Sequence, residues 1–342
     1  MSDAAADADA TVVLRREGAV GAVLMNRPRA LNALDLGMIR ALQQALDACR
    51  DDRAVKLVLL EGAGGKAFCA GGDIRGMRDL ATAGDATSIE TFFSEEYALN
   101  LSIARFPKPW VSFIDGVCMG GGIGVSVHNG PRIATEHALL AMPETAIGFF
   151  PDVGTSFVLP RLPEGIGMWL ALTGARLRGA DSVHAGLADC FVPRARLPDL
   201  RASLLRGDVS AIERFAETPA PASFAPHREA IRRCFAADSV PDILRALAAE
   251  GTEWAAEQVA TMRRMAPTSL FVSHELLRRG AEKPLDACLE MELALTRAVV
   301  GRHPDFREGV RALLVDKDNK PAWSPPRIED VDPASIRAMF DG

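Results

Sequence analysis

Apolar positions in the first third of the chain fall in short runs rather than helical stripes. Thr11 to Arg15 and Ala19 to Met25 read as two strands around a turn at Arg16-Glu17-Gly18. Asn26-Arg27-Pro28 and Asn32-Ala33-Leu34-Asp35 form a loop, and Asp35 is placed to cap a helix over roughly 36–52. The unbroken run Val55 to Leu60 predicts a buried strand. A long amphipathic helix over about 88–105 stops before Pro107 and Pro109, and Trp110 to Ile114 is a strand leading to a helix from Gly121. This strand–strand–helix rhythm predicts an α/β architecture. From about residue 196 strand signals vanish, and helices are expected near 253–264, 268–280, 285–301 and 305–314. Pro219, Pro221 and Pro226 mark a loop between the early and late helical parts. The expected organisation is a disordered tail over 1–10, an α/β core over 11–195 and a helical region over 196–342.

Composition narrows the partners. With 342 residues, 48% hydrophobic and 25% charged, the chain has an ordinary globular balance and room for one large domain or one and a half. A net charge of −6, without a basic stripe interleaved with aromatics, argues against nucleic acid as a partner. No run of about 20 apolar residues is present to span a membrane. Met1-Ser2-Asp3-Ala4-Ala5-Ala6-Asp7 has neither the basic and apolar regions of a signal peptide nor the arginines of a transit peptide, so a cytoplasmic location is expected. The six cysteines form no C-x-x-C pair and the six histidines no H-x-x-x-H pair. Reduced thiols and the absence of a metal or redox cofactor are the expectation.

Candidate chemistry gathers at two glycine-rich turns and the acids that follow. Glu61-Gly62-Ala63-Gly64-Gly65-Lys66-Ala67-Phe68-Cys69-Ala70-Gly71-Gly72-Asp73 succeeds a strand, and Cys118-Met119-Gly120-Gly121-Gly122-Ile123-Gly124 opens a helix. Glycines at helix starts leave N–H groups bare, suited to an anion or a developing oxyanion. Neither turn satisfies G-x-G-x-x-G. The first is no nucleotide-hydrolase loop either, because Ala67 follows Lys66 where Ser or Thr is needed. Gly124-Val125-Ser126-Val127-His128 narrowly misses a serine-hydrolase elbow, since His128 takes the last glycine's place. Glu144, after Pro143, and Asp152, after Pro151, are candidate acid/base or nucleophile groups. In one unbroken helix they would stand about 12 Å apart along the axis; Gly148 and Pro151 break such a helix and let the chain fold back. Taken singly, Glu144 also suits a helix dipole, and Asp152 an N-cap near Val153.

Lys66-Ala67-Phe68-Cys69-Ala70-Gly71-Gly72-Asp73-Ile74, the Gly120-Gly121-Gly122 turn and Pro143-Glu144 resemble the crotonase (enoyl-CoA hydratase/isomerase) superfamily. More specific are Phe92-Phe93-Ser94-Glu95-Glu96-Tyr97, Phe150-Pro151-Asp152-Val153-Gly154 and Asp305-Phe306-Arg307-Glu308-Gly309-Val310-Arg311-Ala312, which resemble its thioester-hydrolase branch. The similarity runs from about residue 12 to about 330. It implies a crotonase-type spiral of ββα units with a C-terminal helical extension. It also implies hydrolysis of an acyl-CoA thioester, 3-hydroxyisobutyryl-CoA of valine breakdown, with coenzyme A as part of the substrate and no other cofactor.

By motif position, the resemblance implies that the Gly72 and Gly121 amides hold the thioester oxygen. It makes Glu144 the nucleophile or general base and gives Asp152 the task of orienting it or the water. Glu96 is implied to read the substrate hydroxyl, and the Ala70 carbonyl to meet the adenine. Lys66, with Arg75 and Arg78 nearby, is positioned to help a coenzyme A phosphate. A hydratase of this superfamily needs an acid at the position of Gly124, which has no side chain. Hydratase or isomerase chemistry, and a non-catalytic acyl-CoA-binding protein, stand as alternatives. A homo-oligomer is compatible with the family, whose members often trimerise.

Overall fold

The computed structural model describes residues 10–341. The tail expected over 1–10 therefore lies outside the described residues, apart from its last position. Ten strands are present among them: β1 (Val12–Glu17), β2 (Val20–Met25), β3 (Leu57–Gly62), β4 (Ala67–Cys69), β5 (Trp110–Ile114), β6 (Val117–Met119), β7 (Arg132–Ala134), β8 (Leu139–Ala141), β9 (Leu177–Arg178) and β10 (Cys190–Phe191). They form a six-stranded sheet in the order β1-β2-β3-β5-β7-β10 and a four-stranded sheet in the order β4-β6-β8-β9. Only the β1–β2 hairpin is antiparallel in the larger sheet; β2–β3, β3–β5, β5–β7 and β7–β10 are parallel. In the smaller one β4 and β6 run parallel. The α/β architecture expected from the strand rhythm is the one observed.

The described residues divide into two compact units. The first comprises the chain up to Gly72, Ala98–Leu140 and Leu177–Ala222; the second comprises Asp73–Tyr97, Ala141–Arg176 and the chain from Ser223 onward. In the first unit alternate residues of the large sheet, Leu57 and Leu59 on β3 and Val111 and Phe113 on β5, pack on Leu200, Leu204 and Ile212. Those three come from the helices Leu197–Leu205 and Ala211–Phe215. The opposite residues Val58, Leu60, Ser112 and Ile114 are buried as well. Burial on both faces explains why β3 reads as a continuous apolar run instead of an alternating one.

Local signals fix several boundaries. Asp35 Oδ1 accepts the Met38 N–H at 2.8 Å and starts the helix Leu36–Asp51. Asp73 likewise accepts from the Gly76 N–H and starts the helix Ile74–Ala83. The first hairpin differs slightly from expectation: β1 runs on through Arg16 and Glu17, which pair with Gly21 and Val20, leaving only Gly18 and Ala19 to turn. The helical periodicity after 196 corresponds to Glu253–Met262, Pro267–Gly280, Leu285–Thr296 and Asp305–Val310, the last two continued by wider π-type turns. No helix among the described residues is long and apolar enough to cross a membrane.

Candidate active site

The glycine turns belong to the first unit. Because β4 and β6 are parallel neighbours, the chain leaves both at the same end of the sheet, and the two turns meet there. Gly71 has φ of +108°, and a Cβ on it would lie 3.2 Å from the Met119 carbonyl oxygen and 3.8 Å from the Gly121 nitrogen. Gly122 is tighter still, since a Cβ there would sit 2.3 Å from the Cys69 carbonyl oxygen. The helix Gly121–Val127 is tied to β5 by the Trp110 indole N–H, which donates to the Val125 carbonyl at 2.9 Å. As the first residue of that helix, Gly121 has an N–H with no acceptor inside it. Gly72 lies three residues past the end of β4 and bridges to Leu34. Ala70, just past β4, is half-buried, and Lys66, just before β4, is exposed. Arg75 lies in the other unit, where its guanidinium donates to the Leu314 carbonyl.

The acids belong to the second unit. Glu144 opens a single 3-10 turn, Glu144–Ile147, that closes at Gly148 with φ of +73°. The Phe149 N–H returns to the Glu144 carbonyl at 3.0 Å, so the chain reverses as the glycine requires. Phe149 and Phe150 then stack at 4.3 Å and pack with Phe93 and Phe306 into an aromatic wall. Asp152 follows, then Val153 with φ of +54° and Gly154 with φ of +78°. A left-handed β-branched residue costs about 1 kcal/mol or more, so this turn must be held by its surroundings.

Asp152 does not cap the following helix with its side chain. Gly154 occupies the N-cap of Thr155–Val158, and the Asp152 carboxylate is engaged elsewhere: Oδ2 accepts from the Tyr97 hydroxyl at 2.9 Å. Tyr97 lies on the helix Ala86–Ala104, whose buried stripe in this unit is Ile89, Phe92, Phe93, Glu96 and Tyr97. Glu96 is therefore no solvated surface charge.

Exposures of 2% for Glu96, 6% for Glu144 and 5% for Asp152 leave three carboxyls almost wholly out of water. Burial pushes Asp152 up to about 7, against the lowering effect of the Tyr97 hydrogen bond. Glu144 and Glu96 are raised well above the usual carboxylate range, first by burial and then by the charge of Asp152. Asp152 is thus the common electrostatic neighbour of both glutamates. Glu96 Oε1 and Glu144 Oε2 are buried without a hydrogen-bond partner in the protein. An unpaired buried carboxyl oxygen costs stability, which makes both atoms candidates for a ligand contact.

Residues 20–340 match the enoyl-CoA hydratase/isomerase family over almost the whole chain. The chain belongs to that family. Its relatives include the mitochondrial 3-hydroxyisobutyryl-CoA hydrolases of Xenopus tropicalis, 42% identical over 97% of this chain and 89% of that protein, and of Rattus norvegicus, 43% identical over the same shares. Among solved structures it resembles a carnitinyl-CoA dehydratase from Mycobacterium thermoresistibile, with a TM-score of 0.92, 38% identity and coverage of 97% of this chain and 96% of that one. An enoyl-CoA hydratase from Rhodobacter sphaeroides superposes with a TM-score of 0.90 at 39% identity, covering 97% of each chain. The crotonase fold expected from the motifs is therefore the fold of this protein. One expectation is corrected: the cytoplasmic location does not stand against relatives named as mitochondrial. It rested on a missing leader pattern, which bears on one kind of sorting signal and not on the compartment.

The C-terminal segment Asp305 to Ala312 gains a physical meaning in this family member. A Cβ on Gly309 would lie 2.4 Å from the Ile147 carbonyl carbon, and one on Gly148 would lie 2.3 Å from the Asp305 carbonyl oxygen. Two glycines thus let the helix Asp305–Val310 sit directly on the turn that carries Glu144. Gly309→Ala is expected to force the two apart, costing about 1–3 kcal/mol of stability. Thermal unfolding of the purified variant measures it, and an unchanged midpoint contradicts the packing described.

Sequence reasoning missed two residues of this region. Tyr97 was visible only as part of a motif, because its partner lies 55 residues away. Glu292 gave one usable signal: it occupies the buried stripe of the helix Leu285–Thr296, with Cys288, Leu289 and Leu295, where an apolar residue is the rule.

Proposed function

We propose that this chain hydrolyses 3-hydroxyisobutyryl-CoA, releasing 3-hydroxyisobutyrate and coenzyme A, a step of valine breakdown. The observation that carries the reading is the buried set Glu96, Glu144 and Asp152 combined with a side-chain-free glycine at position 124. The Gly72 and Gly121 amides hold the thioester oxygen and stabilise the negative charge that grows on it. Glu144 supplies the attack on the carbonyl carbon, through its own oxygen or through a water it deprotonates. A C–O bond forms, the C–S bond breaks, and the coenzyme A thiolate leaves and takes a proton. In the first route a mixed anhydride with Glu144 forms and water then cleaves it. Asp152 orients Glu144 or the water and exchanges a proton with the departing sulfur. Glu96 meets the 3-hydroxyl of the acyl group, the Ala70 carbonyl meets the adenine, and Lys66 meets a phosphate. This chemistry asks for no cofactor beyond the coenzyme A of the substrate.

Hydration is the second reading, favoured by the similarity to the carnitinyl-CoA dehydratase and the enoyl-CoA hydratase. Adding water across a double bond in this family uses a second acid at the position of Gly124, and glycine has none to offer. Purified protein incubated with 3-hydroxyisobutyryl-CoA, butyryl-CoA and crotonyl-CoA separates the readings. Rapid thiol release from the hydroxylated substrate is expected. Loss of crotonyl absorbance without free thiol would move the protein to the hydratases, and binding without turnover to the acyl-CoA carriers.

Glu96→Ala tests the hydroxyl contact. It is expected to lower the preference for 3-hydroxyacyl over plain acyl thioesters by roughly 10–100-fold, as when a polar recognition contact is removed. Unchanged selectivity in kcat/KM would reduce Glu96 to a structural acid.

A further inference from the structure

Glu292 is completely buried, at 0% exposure, on the helix Leu285–Thr296. Its two oxygens are spent on one target. Oε2 accepts the Gly154 N–H at 2.7 Å, and Oε1 accepts both the Ser156 N–H at 3.0 Å and the Ser156 hydroxyl at 2.5 Å. These amides lie at the start of the helix Thr155–Val158, where the first N–H groups have no acceptor of their own. The Asp152 carbonyl closes the same turn, accepting the Thr155 N–H at 2.9 Å and the Thr155 hydroxyl at 2.7 Å. Between them lies the left-handed pair Val153 and Gly154, which local preference would not select.

We propose that Glu292 is a positioning residue for Asp152, fixing through the 153–156 turn the direction in which the Asp152 carboxylate points. The inference rests on Asp152 acting in the proposed hydrolysis. Asp152 is gripped from two sides: its side chain by the Tyr97 hydroxyl, its backbone by a turn that Glu292 locks. A buried carboxyl is a poor choice for stability alone, since a well-packed apolar side chain of similar volume usually serves better. Its use here is geometric. A small rotation of the turn would swing the Asp152 oxygens away from the reacting atoms, and displacement of about 1 Å can cost about a hundredfold in rate.

Glu292→Gln keeps the volume and one acceptor, which can stay with Ser156, but sets an NH2 group against the Gly154 N–H. In thiol-release assays with 3-hydroxyisobutyryl-CoA, kcat is expected to fall about tenfold or more while KM stays near wild type and the unfolding temperature drops only by what one lost buried hydrogen bond accounts for. Ser156→Ala removes a single donor, and about a threefold fall in kcat is expected. A Glu292→Gln enzyme with kcat within about twofold of wild type overturns the inference, as does one whose kcat, KM and melting temperature all deteriorate together. Should Glu292→Gln fail to fold, Ser156→Ala decides, and an unchanged kcat there is fatal. Asp152→Asn runs alongside: if it is inactive while Glu292→Gln is normal, only this inference falls. Full turnover by Asp152→Asn removes the reading of Asp152 and the inference with it.

Discussion

Glu144→Gln is expected to bind coenzyme A thioesters almost as tightly as the wild-type protein and to turn them over about a thousandfold more slowly. Glutamine keeps the side chain's length and its place on the 3-10 turn after Pro143, so the returning Phe149 N–H keeps its acceptor, the carbonyl of residue 144. What it loses is the ability to attack a carbonyl or to take a proton from water. Equilibrium binding by calorimetry and thiol release under saturating substrate measure the two halves separately. A variant that keeps most of its turnover would remove Glu144 from the mechanism. Isotope labelling then tests the covalent route for the wild-type enzyme: label in Glu144 after a single turnover in heavy-oxygen water shows an anhydride opened at the glutamyl carbonyl, whereas a glutamate acting only as a base leaves the label in the released acid alone.

Asp152→Asn has the second largest expected effect, and it moves three observables in different directions. Turnover should fall by about 10²–10⁴-fold, the usual contribution of a positioned acid/base group. The residual activity should also change its pH dependence. Glu144 must ionise to act, and the charge of Asp152 is one of the causes that hold its proton on. With a neutral side chain at 152, Glu144 ionises more readily and the rising limb of the pH profile moves to lower pH. Stability should move the opposite way to activity. The Asp152 carboxyl titrates near 3.9 in an unfolded chain, but burial lifts it to about 7 in the fold. Between those values the folded state holds a proton that the unfolded state has released, so this group's contribution to stability falls as pH rises through that window. Asparagine can still accept from the Tyr97 hydroxyl and never ionises. Thermal unfolding at pH 8 is therefore expected to show a variant more stable than wild type by about 1 kcal/mol or more, and at pH 4 no such gain. A variant less stable at pH 8 would mean that the Asp152 charge is compensated.

Much of this was legible from residue order because the decisive signals are local. Trp110–Ile114 begins and ends where its apolar run does, and Asp35 and Asp73 start their helices with the hydrogen bonds their positions suggest. Glycines at 71, 120 and 148 mark backbone that only glycine adopts readily, and each sits at a turn bearing a candidate site residue. Reasoning of this kind fails where a side chain's fate is decided far away. Asp152 has the look of a helix cap, yet Tyr97 claims its carboxylate from another helix and Gly154 takes the cap position. A charged Glu96 in the middle of a long helix has no local signal of burial, and it is the fold that buries it on one stripe with Phe92, Phe93 and Tyr97. Lys66 lies open on the surface, so its assignment rests on motif position alone.

The grip of Glu292 on the Asp152 turn also sets a timetable for each newly made molecule. The Gly154 amide and the carboxyl that holds it are 138 residues apart in the chain. At ordinary rates of translation, roughly 5–20 residues per second, the ribosome delivers Glu292 about 7–30 seconds after the turn it must secure. Until then Val153 and Gly154 have no reason to keep their left-handed conformation, and Asp152 has no fixed direction. Gly309, which seats the final helices on the Glu144 turn, arrives later still. A nascent chain of this protein therefore carries both acids long before the turns that bear them are secured, and messages that end between residues 152 and 292 yield products with both acids and without the carboxyl that holds the Asp152 turn.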